Sequence, residues 1–271
     1  MHNSHSRFLL GAALLAGVAP SLSAQSIWVS QHTGKAVALE MLKPSFDGDD
    51  ETSLTTVVVF GSLRMPVGST LVVVGELPFA HYGEQDLDDS DNTIGNPYVG
   101  VEIRSPGSPV FGEIGIRAPL ASEDNTAAFV GWLADIHRWE AFVPNFLPIS
   151  GAINYRFRGA TGFVTRLRAG PNLWIATEEW GDDDLELLAT YSAQVGYEAS
   201  QFSMLGGLTG KAILSEEDIN FGERTFHEVG AVVTLALGRV HPGVHVRLPL
   251  DEDMVDTLDY VFGVNLSIEL P

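Results

Sequence analysis

The closing stretch YVFGVNLSIELP (260–271) alternates strictly. Tyr260, Phe262, Val264, Leu266, Ile268 and Leu270 are apolar, and the residues between them are mostly small or polar. A period of two is the mark of a β-strand with two unlike faces. The same alternation recurs upstream over 36–43, 55–65, 70–79, 97–104, 110–118, 148–158, 162–173, 185–198, 202–214, 226–237 and 243–250. With 258–270, the pattern predicts twelve strands. Turns at 66–69, 105–109, 159–160, 199–200 and 238–242 are short and carry Gly, Pro or Ser, as tight turns require. Between them lie longer connections at 44–54, 80–93, 119–147, 174–184, 215–225 and 251–257.

A meander with short turns at one end and long loops at the other is the pattern of an up-and-down antiparallel transmembrane β-barrel. An even strand count puts both termini at the short-turn end, the periplasm of a bacterial envelope. In the third long loop, AAFVGWLADIHRWEAF (127–142) sets Phe129, Trp132, Leu133, Ile136 and Trp139 at helical spacing. A short helix or an irregular lid is expected there, with an extra strand as the alternative.

Charge sharpens the picture. The formal net charge is −20, with 35 acids against 15 bases. Long loops hold 26 of the acids, concentrated in DGDDE (47–51), DLDDSD (86–91) and DDD (182–184). The other nine acids all fall on the polar parity of their strands: Glu40, Glu76, Glu102, Glu113, Glu186, Glu198, Glu228, Asp259 and Glu269. Nine bases share that parity: Arg64, Arg104, Arg117, Arg156, Arg158, Arg166, Arg168, Lys211 and Arg247. The apolar parity carries no acid, and its bases, Lys35 and Lys43, sit at strand ends. A charge on a lipid-facing position at mid-membrane costs about 2–4 kcal/mol, which accounts for the exclusion. A soluble β-sandwich or lipid-binding barrel would turn its apolar face inward and has no reason to gather acids at one end. Aromatic residues add a second sign, because Tyr155, Phe157, Phe163, Tyr197 and Phe202 lie beside short turns, as an interfacial girdle does.

Residues 1–24 read as an export signal and 25–271 as the barrel. Arg7 precedes a short apolar run, FLLGAALLAGVA (8–19), and Leu22-Ser23-Ala24 offers a cleavage site before Gln25. The run is too short to span as a helix. Cysteine is absent, which removes disulfides, thiolate metal sites and a lipidated cysteine.

Three stretches, LEMLKPSF (39–46), VVGELPFAHYG (73–83) and IGNPYVGVEIR (94–104), resemble outer-membrane barrels of the transporter type named after the phenol-degradation meta pathway. The likeness covers roughly residues 36–118. It implies a bacterial outer-membrane protein and uptake of small molecules, and lends no binding residues.

The sixteen charged residues expected to line the lumen are Arg64, Glu76, Glu102, Arg104, Glu113, Arg117, Arg156, Arg158, Arg166, Arg168, Glu186, Glu198, Lys211, Glu228, Arg247 and Glu269. Twelve strands enclose a space between the filled interior of eight and the channel of sixteen. A narrow channel for small solutes is the leading expectation. Arg156, Arg158, Arg166 and Arg168 share one hairpin, where like charges repel. They require acids such as Glu102, Glu113 or Glu198, or an anionic solute; a permanent salt-bridge network that rigidifies and plugs the barrel is the alternative expectation. A closed structural or adhesion barrel is the second expectation, and a lipid hydrolase the third, although no histidine lies in a catalytic motif. HPGVH (241–245) crosses a turn and points its two rings differently, which makes it a weak metal site, so neither a metal site nor a cofactor is expected. Expected partners are outer-membrane lipid, small solutes and divalent cations at the acidic loops, which lack the glycine and closing glutamate of an EF-hand. No nucleic-acid partner is expected of so acidic a chain.

Overall fold

The computed structural model describes residues 26–29, 32–46, 54–84, 89–123, 125–178, 184–216 and 220–271. The stretch read as an export signal, all of 47–51 and much of the acidic runs at 86–91 and 182–184 lie outside them.

The wall is built from β1 (Ala36–Phe46), β2 (Leu54–Val67), β3 (Leu71–Glu84), β4 (Asp89–Ile94), β5 (Tyr98–Arg104), β6 (Val110–Arg117) and β7 (Phe146–Arg158). It continues through β8 (Phe163–Ala176), β9 (Leu185–Glu198), β10 (Phe202–Ile213), β11 (Thr225–Leu235), β12 (Val240–Pro249) and β13 (Leu258–Glu269). Every paired neighbour runs antiparallel. β1 pairs with both β2 and β13, so the sheet closes on itself. β4 pairs with the end of β3 and β5 with its beginning, which makes β4 and β5 two halves of one wall strand. The result is a closed barrel of twelve wall strands, each at its expected place in the sequence. The connection expected at 80–93 is largely a β3–β4 extension of the wall.

Alternation sets the two faces. In β13, Tyr260, Phe262, Val264 and Leu266 are exposed, whereas Val261, Asn265 and Ser267 are buried. Their cross-strand neighbours repeat this, with Met41 and Val244 both exposed beside Val264. The apolar faces therefore point outward around the whole barrel. The buried face carries Glu40, Arg64, Glu76, Glu102, Glu113, Arg117, Lys211, Glu228 and Arg247. Four of the short turns are tight because Gly68, Gly107, Gly162 and Gly238 adopt positive φ (79°, 79°, 94° and 67°). Phe157, Phe163, Tyr197 and Phe202 stand exposed beside such turns, as a girdle.

The third long loop does not stay outside. It forms helix α1 (Thr126–Ala134) and a 3-10 segment at Ile136–Ala141. Both are packed inside the barrel, so the loop is a plug. The two helical pieces break at Asp135, whose backbone (φ −147°, ψ 87°) is not helical. Asn125 caps α1 by accepting the Ala128 N–H at 3.1 Å. The helix buries Ala127, Ala128, Val130, Gly131, Leu133 and Ala134 rather than a single stripe. Its socket consists of inward apolar residues at the long-loop end: Leu42, Val58, Phe60, Ala80, Phe146, Trp174, Leu188, Leu258 and Val261. At the other end, Ile27 and Trp28 of the N-terminal segment pack inside against Val164, Leu205 and Val232. The barrel thus has an internal core at both levels, and hydrophobic burial holds the chain in its own lumen.

Candidate functional site within the lumen

Asn96 anchors the plug. It lies fully buried in the break between β4 and β5. Its Nδ2 donates to the carbonyls of Glu140 (2.9 Å) and Val143 (2.6 Å), while its Oδ1 accepts from the N–H groups of Leu120 (2.7 Å) and Ala121 (2.8 Å). One side chain therefore ties both ends of the loop to the wall. Gly95 beside it has no room for a Cβ, which would overlap the Ala141 carbonyl oxygen.

Arg138 joins the plug to the wall by charge. Its guanidinium donates to Glu76 (2.7 Å), Glu40 (2.5 Å) and Asp135 (2.6 Å), and its plane lies 3.5 Å over the Phe60 ring. The second oxygen of Glu76 takes Arg117 at 2.7 Å, and Arg117 also donates to the Asn96 carbonyl. Arg247 approaches Asp135 (3.4 Å) and Glu228 (3.5 Å) and donates to the Ala134 carbonyl. Lys211 pairs with Glu140 at 2.5 Å, between the rings of Trp139 and Trp174. Burial opposes charge on Arg138, yet Asp135, Glu40 and Glu76 outweigh it and raise its pKa well above the usual range. Burial likewise opposes charge on Asp135 and Glu140. Arg138 and Arg247 hold Asp135 well below the carboxylate range, and Lys211 and Arg117 lower Glu140. His137 donates through Nδ1 to the Thr209 hydroxyl (2.9 Å), which donates onward to the Tyr191 carbonyl. Burial, reinforced by Arg168, pushes the pKa of His137 well down.

A second group lies at the short-turn end. Glu198 accepts from Arg156 (3.0 Å) and Arg166 (2.8 Å), with Arg158 Nε at 3.9 Å. One carboxylate thus faces three guanidiniums. Arg158 is half exposed at the mouth, and Arg168, buried, lies deeper on the same hairpin opposite Asn154. Glu102 pairs with Arg64 and with Arg104. Glu113 accepts from Asn154, and Glu228 accepts from the Trp28 indole at 3.4 Å. Glu186 is half-buried opposite Trp174 near the long-loop end, and Glu269 stands nearly half exposed at the short-turn mouth.

Cavities follow the arginines. An open cavity of ≈ 280 Å³ at the short-turn mouth is lined by Arg156, Arg158, Arg166 and Glu198, and one of ≈ 420 Å³ beside it by Arg104, Arg156, Arg158 and Glu269. Inward of these, a space of ≈ 10 Å³ lies among Ile27, Arg156, Arg166, Arg168 and Gln194. Another of ≈ 10 Å³ lies among Arg168, His137, Glu140, Asn172 and Thr190. Each inner space holds about one water. Arg166 Nε, Arg168 Nε, Asn172 Oδ1 and Gln194 Nε2 are buried along this line without a hydrogen-bond partner among the described residues.

Sequence pattern alone missed Asn96, Glu40 and Arg138 as site residues, and it grouped Asp135 and Glu140 with the loop acids. The missing signal was available: Val58, Phe60, Leu188 and Val261 are apolar on the polar parity, and an apolar residue facing a lumen needs something to cover it. As for the hydrolase expectation, His227 does have partners. It contacts Tyr191 Oη (2.6 Å) and Asp251 (3.0 Å), and Asp251 also accepts the His227 backbone N–H. That second bond makes Asp251 a clamp between β11 and the loop after β12.

No protein-family profile matches the chain, and no curated protein matches it. Solved structures share the fold. An outer-membrane channel from Pseudomonas putida F1 aligns over 91% of this chain and 99% of its own, with a TM-score of 0.61 and 8% identity. The NanC porin aligns over 88% and 100%, with a TM-score of 0.56 and 10% identity. The translocator domain of the autotransporter NalP from Neisseria meningitidis aligns over 90% and 91%, with a TM-score of 0.52 and 9% identity. At these identities the likeness is one of fold, and it places the chain among barrels of the outer-membrane type.

Proposed function

We propose that the protein is a bacterial outer-membrane channel for small solutes, exported by a cleaved signal, whose lumen favours anions and is closed by its own plug. The observation that carries this is the line of cavities strung along Arg158, Arg156, Arg166 and Arg168, from the short-turn mouth to the plug. Glu198 offsets only part of the positive charge there. A carboxylate or phosphate fits guanidinium donors bidentately, which gives it a reason to dwell. Inner spaces about one water wide pass no solute while the plug and the N-terminal segment are docked, so opening is a movement of one or both. The outward apolar face meets lipid. The acidic loops concentrate cations, including divalent ones, at the opposite rim.

Reversal potentials across planar bilayers under a salt gradient test this reading. Anion-selective conductance that falls when Arg166 and Arg168 become Gln supports it. The second reading, a closed structural barrel, is favoured by the plug's buried ion pairs and apolar socket. Absence of conductance after deletion of residues 122–143, in a protein that still folds, would select that reading.

A further inference from the structure

His32 precedes β1, His241 lies early in β12 and Glu269 ends β13, so only closure of the barrel brings the three together. His32 Nδ1 lies 2.9 Å from Glu269 Oε1, and His241 Nε2 lies 3.8 Å from the same oxygen. The two imidazoles meet edge to face with centroids 4.6 Å apart. One ligand atom from each residue lies within 4.8 Å of the other two. Bonds of 2.0–2.1 Å in a tetrahedral site set ligand atoms about 3.3 Å apart, between the two distances seen. His241 Nε2 is buried and has no hydrogen-bond partner among the described residues, a condition that native structures rarely leave unexplained.

We propose that His32, His241 and Glu269 form a divalent transition-metal site of the zinc class, which fastens the N-terminal segment to β12 and β13. Two imidazoles and one carboxylate suit zinc and its first-row neighbours, whereas calcium and magnesium want oxygen shells. Ser267 Oγ lies 2.7 Å from His32 Nε2 and can accept a hydrogen bond from its N–H, which leaves Nδ1 free to ligate, the usual arrangement for a metal-bound histidine. All three side chains line the ≈ 280 Å³ cavity at the mouth, so an ion has a route in and its fourth position faces that space. The chain beyond His32 leads to Ser26 and Trp28, which reach Glu40 and Glu228 inside. Occupancy by metal therefore holds the segment in the lumen. His245, the other histidine of the HPGVH stretch, faces Glu40 at 3.6 Å and takes no part.

The test uses the full-length folded protein in detergent, stripped with chelator and kept in excess calcium to occupy acidic loops. Zinc is titrated calorimetrically, and cobalt is added as an optical reporter of coordination. One ion per chain is expected. Affinity should fall at least about tenfold in His32→Ala and His241→Ala and stay unchanged in His81→Ala at the opposite end. Heat-modifiable migration confirms that each variant folds. Should His32→Ala disturb folding, His241→Asn tests the site from the wall alone. Zinc should also slow protease cleavage within residues 25–35 in the parent but not in His241→Ala. Absence of binding, binding that survives both histidine variants, or equal cleavage with and without zinc would overturn the proposal.

Discussion

Arg138 and Glu76 meet at 2.7 Å inside the barrel, one carried by the plug and the other by β3, and both are buried. Removing one partner of a buried pair leaves the other charge stranded, which costs about 3–5 kcal/mol, more than a surface ion pair ever contributes. In Arg138→Ala, the acids left behind are Glu40, Glu76 and Asp135. The wall retains its closed ladder of hydrogen bonds, so release of the plug is the cheaper way to hydrate them. Expected outcome: conductance in planar bilayers rises, protease cuts within 119–145, and heat-modifiable migration is unchanged.

Asn96 gives an independent route to the same opening. Each of its four bonds to the plug contributes about 0.5–1.5 kcal/mol, and unmet buried backbone groups add to the loss. Asn96→Ala should increase cleavage of the plug loop without altering any charge. Gly95→Val should do the same by steric overlap with Ala141. Unchanged protection in both would mean that the socket alone retains the plug.

The barrel was legible in the sequence because its physics is periodic. Outward Leu, Val and Phe alternate with inward polar residues, and a one-residue slip would put Glu228 or Arg247 on the outward apolar face. The plug was legible only as a short helix. Its position depends on contacts between distant residues, such as Asn96 with Val143, and on inward apolar residues such as Phe60 that a parity count treats as noise. The arginine ladder was visible as four bases on one hairpin. That Glu198 would face three of them depends on register across β7, β8 and β9, which turn residues alone did not settle.

Acid should loosen the plug in two steps. His137 faces Arg168 and Lys211 from the wall and Asp135, Arg138 and Glu140 from its own segment. Its docked pKa lies below the free value of about 6.5, so the docked state binds fewer protons than the released one. Docking is strongest above that pH and weakens as pH falls through it. Asp135 and Glu140 have lowered docked pKa values, so their contribution is present above about pH 4.5 and is lost as pH falls further. Conductance recorded from pH 8 to pH 3 should therefore rise first below pH 6.5 and again below pH 4.5. His137→Asn should remove the first rise and keep the second.

The ladder can be tuned in both directions. Arg168 has no carboxylate in hydrogen-bond contact among the described residues, whereas Arg156 and Arg166 share Glu198. Arg168→Gln should lower the anion-to-cation permeability ratio of the opened channel. Glu198→Gln, which removes the negative charge that Arg156 and Arg166 share, should raise it. If both substitutions move the ratio in the same direction, or neither moves it, the permeating ions do not pass these residues.

Val264 lies on the outward face of β13, flanked by Met41 on β1 and Val244 on β12, all three exposed. Its neighbour Asn265 points inward, where it is buried. If lipid covers the outward face, Val264→Arg places a guanidinium in hydrocarbon at a cost of about 2–4 kcal/mol. Replacing Val264 with Leu conserves the apolar surface and should leave stability within about 0.5 kcal/mol, as a surface substitution does. Reversible folding into phospholipid vesicles, followed by denaturant titration, measures both. In detergent micelles the penalty should shrink, because a micelle deforms to admit water. Equal stability of Val264→Arg and the parent in thick-chain bilayers would mean that this face does not meet the membrane interior, and the outer-membrane placement would fail with it.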